Sequence, residues 1–97
     1  MNRAEFEASL RQEGYEVKED EIEPHRHYEA HAHEFDARVL VLGGSITLVF
    51  GTDRVTYRRG DAFSLPAGTM HEEHTEADGT RVVEGYRAPM LASAAAK

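Results

Sequence analysis

From Tyr15 to Arg87 the chain is a succession of short β-type runs broken by turn residues about every eight positions, which restricts it to an antiparallel sandwich or barrel. The runs are Tyr15 to Glu19, His25 to His33, Val39 to Leu42, Ser45 to Phe50, Val55 to Arg58, Ala62 to Leu65, Met70 to Thr75 and Thr80 to Arg87. Turns are expected at Gly43-Gly44, Gly51-Thr52-Asp53, Arg59-Gly60-Asp61, Pro66-Ala67-Gly68 and Ala77-Asp78-Gly79. Helical periodicity occurs once, ahead of the runs. Asn2 is placed to cap a helix from Arg3 to Glu13, with Glu5 in the reciprocal position and Gly14 as the stop. Phe6 and Leu10 form its thin apolar stripe, so the helix should lie outside the fold. The expected organisation is a helical arm over 1–14, an all-β barrel or sandwich over 15–88 and a flexible Ala-rich tail over 89–97.

At 97 residues, 40% apolar and 30% charged, the chain reads as one globular domain with one pocket. Its longest apolar run, Val39 to Leu42, is far below the roughly 18 residues of a spanning helix. No basic segment followed by an apolar run opens the chain, so a cytoplasmic location away from membranes is expected. Cysteine is absent, leaving His, Asp, Glu, Arg and Tyr for any site chemistry. The net charge of −7 opposes a phosphate backbone and predicts no nucleic-acid partner.

All six histidines fall in two windows, His25, His27, His31 and His33 in one and His71 and His74 in the other. Alternate side chains of a strand share a face, so His31 and His33 can straddle one ion. At least one more ligand must come from elsewhere, and His71, delivered by the Gly60-to-Met70 hairpin, is the best placed. His25 and His74 read as surface side chains, and Glu72, Glu73 and Glu76 as a solvated acidic run.

The segment from Gly60 to His71 resembles the second motif of the cupin superfamily, with Gly60, Pro66, Gly68 and His71 in matching positions and Thr75 where Asn is usual. Of the first motif, His31, His33 and Gly44 fit, while His25 occupies the opening glycine position and Ala37 that of the glutamate ligand. The resemblance spans about Tyr15 to Arg87 and implies a single cupin-type β-barrel, a jelly roll of two facing sheets, with ligands pointing into its mouth. It also implies one divalent metal ion (Fe, Mn, Ni or Zn), a small-molecule ligand and a homodimer.

Ala37 cannot bind a metal, and three readings follow. The centre is three histidines plus water, or another residue supplies the fourth ligand, or no metal binds. If no bulge intervenes, His27 and Glu29 share parity with His31 and His33, and either can be that ligand. Arg38 should face the other way; turned inward, it would favour an anionic substrate. Two function classes remain: a metal-dependent oxygenase, isomerase or hydrolase, or a non-catalytic module that binds or senses a small ligand or metal.

Overall fold

The computed structural model describes residues 2–89, so the expected tail lies, beyond Pro89, outside the described residues. One helix, α1 (Arg3–Gln12), precedes strands β1 (Glu16–Ile22), β2 (His27–His31), β3 (Asp36–Phe50), β4 (Asp53–Arg58), β5 (Ala62–Leu65), β6 (His71–His74) and β7 (Thr80–Arg87). The helix opens on the expected capping box, Asn2 Oδ1 accepting from the Glu5 N–H at 2.8 Å while Glu5 reaches back to the Asn2 N–H.

The pair Gly43-Gly44, expected to reverse the chain, instead lies inside the 15-residue strand β3. A register shift between Val41 and Gly43 and a left-handed Gly44 (φ 68°) bend the strand without turning it back. Only glycine fits at 44, where a Cβ would stand 2.2 Å from the Gly79 carbonyl oxygen. The bend lets one strand serve two layers. Its first half pairs with β5 and β7, and β7 with β1; its second half pairs with β4 and β6, and β6 with β2.

Strand alternation then sorts the side chains. Val39, Val41, Leu65 and Val82 of the first layer pack against Ile46 and Leu48 of the second, forming the core between the layers. On the far side of the first layer, Phe6 and Leu10 of α1 are buried with Leu40 and Val83. Gly85 leaves room for them, since a Cβ there would meet both Leu10 methyls at 2.8 Å. The helix is therefore external, as its thin stripe predicts, yet its two apolar side chains are fully buried.

The expected barrel is not closed. The path of paired strands ends at β1 and β2, because β1 follows β7 while β2 follows β6 into the other layer. Exposed Glu16, Glu19, Asp20 and Glu21 charge the β1 edge, which discourages pairing with another strand.

The turn from β1 to β2 is built around His25, exposed and left-handed at φ 58°. Its N–H donates to the Glu76 carbonyl at 3.0 Å. This conformation explains why glycine suits the position that His25 fills. A left-handed non-glycine residue costs about 1–2 kcal/mol, partly offset by the greater unfolded-state entropy of glycine. His25→Gly should therefore raise stability by about 0.5–1 kcal/mol in urea unfolding. A less stable variant would mean that the histidine side chain contributes a contact of its own.

Candidate metal centre

Strand β6 reads His71-Glu72-Glu73-His74, and its side chains alternate between the two faces of the second layer. His71 and Glu73 turn inward, while Glu72 and His74 turn outward. His71, only 1% exposed, meets the strand-end residue His31, its register partner on β2. His33 lies past the end of β2, so strand parity does not place it. A loop clamp does: its carbonyl accepts the Gly68 N–H at 2.9 Å, and Asp36 Oδ1 accepts the Ala67 N–H at 2.8 Å. The loop bearing His33 is thereby stitched to the hairpin that delivers His71.

The three expected histidines do come together. Ring centroids lie 4.9 Å apart for His31 and His33, 4.5 Å for His31 and His71, and 5.5 Å for His33 and His71. Glu73 joins them, and one donor atom from each of the four residues lies within 4.8 Å of the others. Donors around a common ion, at about 2.0–2.2 Å each, sit roughly 3–4.4 Å apart, within reach of small side-chain rotations.

The hydrogen bonds fit the same use. His71 Nδ1–H donates to the Thr69 carbonyl at 2.9 Å and His31 Nδ1–H to the Glu29 carbonyl at 2.7 Å. In the neutral rings this leaves Nε2 as a bare lone pair, and both Nε2 atoms face Glu73 Oε2, at 3.0 and 3.3 Å. Lone pairs of two rings and a carboxylate directed at one another require a cation between them, either a ring proton or a metal ion. Burial first, then the neighbouring His31 and His71, lower the His33 pKa against a weaker opposing pull from Glu73, which favours the neutral ring.

Neither alternative fourth ligand joins the group. A register shift between Tyr28 and His31 breaks the parity that would have aligned His27 with His31. His27 instead faces outward, against Glu72 and His74. Glu29 contributes its backbone carbonyl to His31 and no carboxylate to the cluster. Ala37 lines the same cavity as His31, His33 and Glu73 and offers no donor atom. Glu73, read from sequence as solvated, was discoverable by extending the two-residue period from His71 along β6. Arg38 points away from the cavity, donating to Ser9 Oγ at 3.1 Å and Glu13 Oε1 at 3.0 Å.

Thr75, in the usual Asn position, is buried and structural: it donates to the Glu23 carbonyl at 2.6 Å and accepts the Arg26 N–H at 2.9 Å. It fastens the start of β2 beside β6.

His31, His33 and Glu73 border a cavity of about 500 Å³ whose walls include Val39, Ile46, Leu48, Phe63 and Leu65. Asp20 and Glu84 supply carboxylates to the same cavity. Burial, then the charge and hydrogen bond of Asp20, push the Glu84 carboxyl up to about 6, with Glu73 adding slightly and Lys18 opposing. Between the ordinary glutamate range and about 6, the folded chain holds a proton that the unfolded chain has released. Stability conferred at lower pH is therefore lost as pH rises through that window. In chelator-treated protein, the melting temperature of wild type relative to Glu84→Gln should fall from pH 4.5 to pH 7 (about one unit past the shifted value). A constant difference would show that Glu84 is not shifted.

A two-layer antiparallel fold with histidines converging inside, one of them delivered by the Gly60-to-His71 hairpin, defines a small cupin protein. The Cupin_2 family, described as a cupin domain, matches residues 16–84, and the chain belongs to it. Among solved structures, it is similar to a cupin-2 domain containing protein from Shewanella frigidimarina NCIMB 400, at 20% identity over 75% of this chain and 71% of that one, with a TM-score of 0.63. It is also similar to KdgF from Halomonas sp., at 15% identity over 86% and 94% of the two chains, TM-score 0.62. The polyketide cyclase RemF from Streptomyces resistomycificus is 26% identical over 74% of this chain, TM-score 0.64, and the match spans 54% of RemF. No curated protein matches.

Proposed function

We propose that the chain is a metal-dependent enzyme for a small organic molecule, with His31, His33, His71 and Glu73 holding one divalent ion (Fe, Mn, Ni or Zn). The observation that carries this reading is the convergence of four donor atoms within 4.8 Å of one another, three of them from residues that border a cavity. Three imidazoles and one carboxylate suit these borderline metals better than Mg or Ca. Such an ion, when bound, supplies Lewis acidity toward a substrate oxygen or water.

The chain's own groups narrow the chemistry. Apolar walls favour a compact molecule with little charge, and the carboxylates at Asp20 and Glu84 disfavour an anion. Arg38 lies on the far side of its layer and, among the described residues, no arginine lines the cavity, so the Lys18 ammonium is the cation acting on Glu84. Glu84, with its carboxyl near 6, is suited to accept and return a proton close to neutral pH. We assign it the proton-carrying role in isomerisation or ring closure of a carbonyl compound. The likeness to a polyketide cyclase supports an enzyme of this kind. Assembly as a homodimer and a cytoplasmic location belong to the same reading.

The test is metal affinity in tag-free protein, followed by turnover. His71→Ala and Glu73→Gln should each weaken the inner ion by more than about 100-fold, the scale that loss of an outer-shell partner alone can reach. Glu84→Gln should keep the ion while slowing solvent-deuterium incorporation into small diketones by about 10²–10⁴. Wild-type affinity at the inner site of His71→Ala would sink the metal assignment. Unchanged exchange in Glu84→Gln would remove the proton carrier.

A further inference from the structure

The outward residues of β6 have a partner that the inner site does not use. His27 on β2 is the register partner of His74, and their rings stack at 4.1 Å between centroids, 14° from parallel. Both Nε2 atoms lie 3.1 Å from the same oxygen, Glu72 Oε1. One donor atom from each residue lies within 4.8 Å of the other two, on the opposite side of the layer from His71 and Glu73. Thr47 and Val49 of β3, the register partners of His74 and Glu72, flank the cluster and are buried. His27 is half exposed, which leaves the cluster open to solvent.

We propose that His27, Glu72 and His74 form a second, outward-facing site for one divalent cation of the zinc, nickel or copper kind. Two imidazoles and one carboxylate match those ions, whereas Mg²⁺ and Ca²⁺ prefer all-oxygen shells. Water completes the coordination on the open side. The ion ties β2 to β6, which matters because β6 is the only strand paired with β2 among the described residues, and their ladder is interrupted between Tyr28 and His31. A clip at His27 therefore steadies the segment that leads to the inner ligand His31. The site shares no ligand with the inner cluster, so the two assignments stand or fall separately.

The deciding experiment is equilibrium dialysis of the tag-free full chain against Zn²⁺, with bound metal counted by mass spectrometry. Wild type should bind two ions, and His27→Gln and Glu72→Gln one each. His71→Ala should also bind one, held at the outer site, and His27→Gln combined with His71→Ala none. His27 is exposed enough for its variant to fold, and circular dichroism checks this. One ion in wild type that persists in His27→Gln and disappears in His71→Ala would overturn the outer site and leave the inner one intact. Two ions in both wild type and His27→Gln would overturn it as well. Two ions in His71→Ala, falling to one when His27→Gln is added, would uphold the outer site and refute the inner.

Discussion

The site depends on the two-residue period of β6. In His71-Glu72-Glu73-His74 each face of the strand receives one imidazole and one carboxylate, and a slip of one residue would exchange the two sets. Register with β3 prevents that slip: Thr47 pairs with His74, Leu48 with Glu73 and Val49 with Glu72. Because Leu48 belongs to the core between the layers, the burial that holds β3 in place also directs His71 and Glu73 inward. The inward orientation of His71 and Glu73 is thus a consequence of apolar packing, and the imidazole and carboxylate need not stabilise one another for it to hold.

The bent strand β3 has the same standing for the cavity. By crossing from one layer to the other at Gly43-Gly44, it sets Val39 and Val41 opposite Ile46 and Leu48 across the core. The space left beside that core is where Glu84 of β7 shares a cavity with Glu73 of β6. A carboxyl held near 6 by burial and a neighbouring aspartate can exist there because the apolar walls restrict water. The helix contributes from behind: Phe6 and Leu10 cover Leu40 and Val83, so the first layer is packed on both faces.

Much of this was legible in the residues themselves. The capping box at Asn2 and Glu5, the bounds of β5 and β7, and the convergence of His31, His33 and His71 follow from local signals or from the motif spacing. What was not legible depends on contacts between distant strands. Gly43-Gly44 has the local signature of a turn, and only the demand that β3 pair in two layers makes it a bend. His27 fails to reach the inner site because a bulge on β2 is set by its pairing with β6, which no residue of β2 announces. Closure of the barrel likewise depends on whether two edge strands meet, and here β1 and β2 part into different layers. Glu73 is a different case: the period used for β2 sufficed to find it on β6.

The most direct measurement of the central claim is an anomalous-difference map from crystals of the protein soaked in Mn²⁺ and recorded near the manganese edge. A peak is expected about 2.0–2.2 Å from His31, His33, His71 and Glu73 Oε2, at the edge of the cavity. A map with no peak at that point, or with the inner ion bound without Glu73, would contradict it.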